Sequence, residues 1–258
     1  MDLGLRGKVV LVTGGSKGIG FACARAFQAE GARVAIVSRS LDNIEKARGA
    51  IPGAFGFTAD LTNEADAARI VHAVEADLGP IDVLVNSAGA AKRTPPDDLS
   101  PATYRAAMDA KYFSYINVID PVVKSMAARG TGVIVNVIGN GGKVASPVHV
   151  AGGAANAALM LVTAGLATAY ADKGVRIVAV NPGLTQTDRV SEGLKADAKL
   201  ASVSEDEARQ RSIAKIPLGR MADPEEIANA VLFLASGKAS YITGVSISMD
   251  GAASPVIV

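Results

Sequence analysis

Val9-Val10-Leu11-Val12-Thr13-Gly14-Gly15-Ser16-Lys17-Gly18-Ile19-Gly20 is the stretch of this 258-residue chain whose reading decides the fold. Val9 to Val12 is an unbroken apolar run, the mark of a strand buried on both faces in a parallel sheet. Glycines at 14, 18 and 20 follow, and Ile19 to Glu30 carries helical periodicity. Strand, glycine turn and helix in that order make a cradle for a dinucleotide pyrophosphate. Bare backbone lets the phosphates approach, and the helix N-terminus offers unpaired N–H groups and a favourable dipole. The spacing is G-x-x-x-G-x-G rather than G-x-G-x-x-G. On these residues alone a tight turn without a ligand stays open as the other reading.

The same alternation continues along the chain. Val34 to Val37, Phe55 to Thr58, Val83 to Val85, Val133 to Val135, Val175 to Val180 and Val245 to Ser248 read as further buried strands. Between them, Glu64 to Leu78, Pro101 to Arg129, Asn156 to Asp172 and Pro224 to Ala235 read as alanine-rich helices. The pattern predicts an α/β fold: a single-domain, Rossmann-like, doubly wound parallel sheet of about seven strands flanked by helices. No linker or composition shift divides residues 1–258. The longest stretch without a strand signal, Leu184 to Met221, is polar and has room for a short helix or two. It reads as a substrate lid or as a plain surface insertion.

Composition narrows the function classes. The chain has 26 basic and 25 acidic residues, net +1, with no clustered lysine and arginine. That argues against a nucleic-acid partner. Hydrophobic residues make up 49%, too many for a disordered chain. One cysteine, Cys23, cannot form an internal disulfide, which points to a reducing, cytoplasmic compartment. Met1 to Lys8 lacks the pattern of a signal peptide, and apolar runs such as Lys8 to Thr13 and Arg33 to Val37 fall far below the roughly 20 residues of a membrane span. A soluble protein with no membrane partner is expected. Two histidines and one cysteine without H-x-x-x-H or C-x-x-C spacing give no metal site, and no G-x-S-x-G elbow marks a serine hydrolase.

The glycine loop resembles T-G-x-x-x-G-I-G of the short-chain dehydrogenase/reductase family, and further family landmarks follow in order. Asp60-Leu61-Thr62 looks like the segment that contacts adenine, and Asn86-Ser87-Ala88-Gly89 looks like N-N-A-G. Asn181-Pro182-Gly183-Leu184-Thr185-Gln186-Thr187 is similar to the P-G-x-x-x-T that holds the nicotinamide amide, and Thr243-Gly244 and Asp250-Gly251 match the C-terminal strand. The resemblance implies hydride transfer with a nicotinamide cofactor. It places Gly14, Ser16, Lys17, Gly18, Ile19, Gly20, Ser38, Arg39, Asp60, Leu61, Asn86, Ala88, Gly89, Pro182, Gly183, Thr185 and Thr187 around that cofactor. It also implies a homo-oligomer, tetramer or dimer, with which the small-residue helix Gly152 to Ala171 and the apolar tail Ser254-Pro255-Val256-Ile257-Val258 are compatible.

The second strand ends in Ser38-Arg39-Ser40. A carboxylate there would bind an adenosine ribose 2′-hydroxyl and repel a 2′-phosphate. None is present, Arg39 can pair with phosphate bidentately, and Lys17 lies in the nearby loop. The reading is NADP(H), with NAD(H) the weaker fit; cations that merely face water are the alternative.

The family's Asn-Ser-Tyr-Lys tetrad is altered at every position. Lys111 stands where the asparagine belongs, Gly139 for the serine, Gly152 for the tyrosine and Asn156 for the lysine. Amide and ammonium have thus changed places, which reads as a cationic function moved to another helix. Ala107, Met108, Ser114, Tyr115 and Val118 share a helical face with Lys111, a mainly apolar surface that argues for an inward amine, with a snorkelling rim lysine as the other possibility. Without a carboxylate partner that amine is expected to have a depressed pKa. His149 precedes Gly152 by about one turn and titrates in the useful range, which makes it the leading acid/base; a helix cap is its alternative. A subgroup of the family with the same surrounding pattern carries a tyrosine at the His149 position. Two glycines in place of serine and tyrosine imply extra room and a larger substrate. Tyr112 and Tyr115 are candidates for the proton donor as well, with aromatic packing the commoner explanation, and His72 reads as a surface residue. The functional reading is a small-molecule oxidoreductase acting on a carbonyl or secondary alcohol. A cofactor-binding sensor or structural subunit is the alternative, and chemistry without net redox ranks below both.

Overall fold

The computed structural model describes residues 2–89 and 91–254. Seven strands, β1 (Val9–Thr13), β2 (Arg33–Ser38), β3 (Phe55–Thr58), β4 (Val83–Asn86), β5 (Gly132–Val137), β6 (Val175–Pro182) and β7 (Ser246–Met249), form one sheet in the order β3-β2-β1-β4-β5-β6-β7. Every neighbouring pair is parallel. The order reverses between β1 and β4, so the loops leaving those two strands part and open a crevice at their C-terminal ends.

The apolar runs are continuous because both faces are covered. Val10, Val12, Ile36, Val85, Val135 and Val178 face the layer of α1 (Gly18–Ala29) and, at the far end of the chain, the helix Pro224–Ala235. Val9, Leu11, Ala35, Leu84, Ile134 and Ile177 face the opposite layer. Alternate residues of each strand thus enter two separate cores. The first layer also contains α2 (Leu41–Ala50), which the sequence reading passes over. Its apolar stripe is only Ile44 and Ala47, and it is started by Ser40, whose side chain accepts from the Asn43 N–H at 3.3 Å.

On the other face lie α3 (Glu64–Leu78), α4 (Pro101–Ala107), α5 (Ser114–Arg129) and α6 (Val150–Tyr170). The expected helix Pro101 to Arg129 is therefore divided: α4 passes into α5 through a π-helical turn, Met108–Phe113. α6 starts at Val150, six residues before the expected Asn156, because its glycines serve close packing; a Cβ on Gly153 would lie 2.7 Å from the Gly141 carbonyl oxygen. Leu184 to Met221 holds two helices, α7 (Asp188–Ala201) and α8 (Glu205–Ile213), and the last helix is α9 (Pro224–Ala235). One correction concerns apolar length: the 24-residue span Val150–Lys173, with an 18-residue window of mean hydropathy 1.6, has the length and composition to cross a bilayer. Within the fold, Ala151, Ala155, Leu159 and Ala167 of this helix are buried.

A buried polar ladder ties the central strands to α6. Thr13 Oγ1 lies 3.3 Å from Asn86 Oδ1, Asn86 Nδ2 donates to Asn136 Oδ1 at 3.0 Å, and Asn136 Nδ2 donates to Thr163 Oγ1 at 3.0 Å. All four residues are fully buried. Asn136→Ala strands both neighbours of the ladder and is expected to cost about 2–4 kcal/mol, read as a lower urea midpoint.

Candidate active site

The cradle read from the sequence fits a dinucleotide phosphate. α1 begins at Gly18 with no side chain capping its first N–H groups. A Cβ on Gly14 would lie 2.9 Å from the backbone of Ala88, and one on Gly20 would lie 2.3 Å from the Gly14 carbonyl oxygen. Gly18, at φ +54°, would place a Cβ 3.3 Å from Thr187, so the glycine loop and the Thr187 turn form two facing walls. Gly14 N–H donates to Val37 O at 2.9 Å, which brings the end of β2, with Ser38 and Arg39, beside the loop. Arg39 and Lys17 are exposed and, among the described residues, neither joins an ion pair.

Four of the expected cofactor residues have side chains that are engaged within the protein. Asn86 is turned into the buried ladder, where Thr13 and Asn136 take its amide. Leu61 packs into the core, and Thr185 is buried with its hydroxyl on Gly183 O at 3.3 Å. Asp60 accepts from both the N–H and the hydroxyl of Thr62. Asn86, Leu61 and Thr185 are thus buried, whereas Asp60 is exposed.

Three candidate catalytic residues meet at the end of β5. The π-turn carries Lys111 inward, 7% exposed, and its Nζ donates to Val137 O at 3.1 Å and to the Tyr115 hydroxyl at 2.7 Å. Tyr115 in turn donates to the same carbonyl. Two residues on, the turn Gly139 to Gly142 receives the other two side chains. A Cβ on Gly139 would lie 3.4 Å from Asn156 Nδ2, and one on Gly141 would lie 3.0 Å from His149 Cδ2. His149 sits at the N-terminus of α6 without capping it. Its ring fills the place above Gly152, where a Cβ would be 2.2 Å from Cε1 and 2.6 Å from Nε2. The extra room expected from the two glycines is therefore largely taken: the imidazole occupies one space and the Asn156 amide borders the other.

The charges around this centre shift its groups in one direction. Burial pushes the Lys111 amine from its ordinary 10.5 down to about 7, and the Arg189 guanidinium adds to the shift. Burial pushes the Tyr115 hydroxyl up, against the pull of Arg189. His149 is held below its ordinary value by burial first, then by Arg93, Arg189 and Lys111. Among the described residues, two buried polar atoms at the turn have no hydrogen-bond partner, His149 Nδ1 and Asn140 Oδ1. Asn140 Nδ2 meanwhile donates to Asp250 at 2.7 Å and to Ser254 at 2.6 Å.

Arg189, Arg93 and Asn140 carry no signal in the sequence, and Tyr115, a candidate there beside the commoner packing explanation, is bonded to Lys111 and Val137. The i, i+4 spacing of Lys111 and Tyr115 was the one usable signal. His72 is exposed, as expected.

A family model described as enoyl-(acyl carrier protein) reductase matches residues 14–253. The chain belongs to the short-chain dehydrogenase/reductase family. An acetoacetyl-CoA reductase of Shinella zoogloeoides is 35% identical over 244 residues, 95% of this chain and 97% of that protein. Among solved structures of similar fold, an actinorhodin polyketide ketoreductase with NADPH aligns with a TM-score of 0.93 at 29% identity, covering 96% of this chain and 98% of its own. An NAD+-bound xylitol dehydrogenase aligns with a TM-score of 0.91 at 27% identity, covering 96% and 99%. Members of the family with either nicotinamide cofactor thus share this architecture.

The amine at 111 gives the fold a pH dependence. Unfolded, the lysine holds its proton to about 10.5; folded, it releases it near 7. The unfolded state binds more protons in between, so raising the pH through that window favours the folded state. In urea titrations the parent is expected to gain stability relative to Lys111→Met from about pH 7 to about pH 10. Parallel curves would show that the amine is not desolvated.

Proposed function

We propose that this protein is an NADP(H)-dependent oxidoreductase that moves hydride between the nicotinamide and a carbonyl or secondary alcohol. Lys111 and His149 serve where the family has its tyrosine–lysine couple. One observation carries the reading: Lys111, His149 and Asn156 converge on the end of β5 and the glycine turn that follows it. The names of the relatives, two reductases and a dehydrogenase, agree with the reaction class.

The glycine loop at 14–20, Ala88, Gly89, Gly183 and Thr187 would hold the cofactor, which supplies or accepts the hydride when bound. Lys111 polarises the substrate oxygen. Its ammonium has three donors, of which Val137 and Tyr115 take two, leaving one N–H for that oxygen. Below about pH 7 it carries a proton that a reduced carbonyl can take up; above that, the free amine can accept one from an alcohol. His149, half-buried with its ring over Gly152, exchanges that proton with solvent. Asn156 holds the turn and fixes water or ribose hydroxyls beside it. α7 and α8 form the substrate lid within a single dinucleotide-binding domain. We infer a cytoplasmic homo-oligomer with a small-molecule substrate; the apolar tail 255–258 invoked for subunit contacts lies outside the described residues.

Lys111→Met and His149→Ala are each expected to reduce turnover by about 10²-fold or more at saturating NADPH, with the Kd for NADPH, from fluorescence titration, within threefold of the parent. A protein that binds NADPH but never consumes it across aldehydes, ketones and 3-oxoacyl thioesters would instead be a cofactor-holding sensor. For the cofactor itself, Arg39→Asp is expected to weaken NADPH at least tenfold while leaving NADH unchanged or tighter, because the new carboxylate repels a 2′-phosphate and can bind a 2′-hydroxyl. Equal loss of both cofactors would remove Arg39 from that role.

A further inference from the structure

The turn that receives His149 and Asn156 is Gly139-Asn140-Gly141-Gly142, three glycines and a single side chain. Glycine loses more conformational freedom on ordering than any other residue, so such a turn depends on contacts from outside it to keep its place. Asn140 supplies the side-chain hold: its Nδ2 donates to Asp250 Oδ2 at 2.7 Å and to Ser254 Oγ at 2.6 Å. The amide faces the acid this way round because a carboxylate accepts and does not donate. The residue after the turn, Lys143, ties to the same edge of the sheet, with Nζ donating to Ser246 O at 3.2 Å.

The far end of this hold is itself fixed. A Cβ on Gly183 would lie 2.8 Å from Asp250 Cβ, so the aspartate rests against the Pro182-Gly183 turn on the cofactor side. Its other oxygen, Oδ1, accepts from the Ala252 N–H at 3.1 Å. Ala252 has φ +66°, and among the described residues Ser202 is the one other non-glycine residue with positive φ. An alanine stays in that conformation where its surroundings impose it. Gly251 O accepts from the Leu218 N–H at 3.3 Å, and a Cβ on Gly251 would lie 2.6 Å from Ile216, just beyond α8. Residues 250–254 thus touch the turn of the reaction centre, the cofactor turn and the end of the lid segment.

We propose, resting on the oxidoreductase reading above, that Asn140 is a positioning residue: through Asp250 and Ser254 it keeps the 139–142 turn, and with it His149 and Asn156, in register with the cofactor turn. His149 meets the turn at Gly141, where a Cβ would lie 3.0 Å from Cδ2. Asn156 meets it at Gly139 and Gly141, where a Cβ would lie 3.4 Å and 3.5 Å from Nδ2. A bond from an amide to a carboxylate is charge-assisted, which suits a fixed point of reference. Asn140 acts through the turn, and Asp250 carries the register from the cofactor side to it.

The test reads the place of the ring separately from turnover. His72 and His149 are the two histidines of the chain, so carbon-13 labelling of histidine rings in the full chain gives two sets of signals, assigned with His149→Ala. The parent is expected to show a nuclear Overhauser contact between the proton on His149 Cδ2 and a Gly141 α-proton. Asn140→Ala is expected to lose most of that contact and to lower NADPH-dependent turnover about tenfold, with the Kd for NADPH within about threefold of the parent. Ser254→Ala, which removes one of the two bonds, takes its place if that variant does not fold. Asn140→Asp combined with Asp250→Asn is expected to restore contact and turnover, because the bond is remade with donor and acceptor exchanged and the side chain at 250 can still accept from the Ala252 N–H. A parent without the contact, a contact unchanged in the single variant even where its urea midpoint falls, or an exchange that does not restore it would overturn the positioning role. A contact that responds as expected in a chain that turns over no carbonyl or alcohol would leave that role standing and overturn the oxidoreductase reading instead.

Discussion

Burying the amine of Lys111 with, among the described residues, no carboxylate beside it is the constraint on which the rest of the site depends. A desolvated lysine is expensive, and an arginine nearby raises the cost. The fold offsets it with two fixed acceptors, the Val137 carbonyl and the Tyr115 hydroxyl, and with a local change of helix geometry. The π-turn Met108–Phe113 widens the helix by one residue and frees carbonyls, and Ser114 returns a hydroxyl to two of them, Ala110 and Lys111. π-Turns inside α-helices occur often at functional sites. A lysine needed only for solubility would have no reason to stay on such a turn, since a straight α-helix with a methionine at 111 would be simpler to build.

The glycines of the site follow from the same arrangement. Gly152 has no side chain because the His149 ring stands where its Cβ would go, and Gly139 is followed by a turn against which Asn156 packs. The bare position at Gly152 and the placement of the His149 ring are therefore one packing arrangement. The Thr13–Asn86–Asn136–Thr163 ladder anchors the region from below, connecting the cofactor loop after β1 to α6, which carries both His149 and Asn156. Each polar group in the ladder has a partner, so it can fix the relative position of strands and helix at little cost.

How much of this could be read in the sequence divides along physical lines. Strands buried on both faces announce themselves as apolar runs, and all seven lie within two residues at either end of their expected places, although the edge strands β3 and β7, read as buried, are largely exposed because each has a neighbour on one side only. The glycine loop was legible because close backbone approach admits little else. α2 was not, because its stability rests on a serine cap and two buried residues rather than on a wide apolar stripe. Lys111 was legible as inward from its apolar neighbours, but the π-turn that delivers it depends on hydrogen bonds that no local pattern specifies. Asn86 shows the converse: its place in a motif gave no hint of the buried ladder that its side chain joins. Arg189 and Arg93 could not be found from spacing, since one comes from the first turn of α7 and the other from the segment after β4, and they meet the centre only through the tertiary fold.

The most direct measurement is a crystal structure of the chain with NADP+ and a substrate-like alcohol. If the amine has taken over from the lost couple, Lys111 Nζ and a ring nitrogen of His149 will both lie within hydrogen-bond reach of the alcohol oxygen, about 2.6–3.2 Å or through one water. An alcohol oxygen held by other groups, with Lys111 still confined to Val137 and Tyr115, would contradict it.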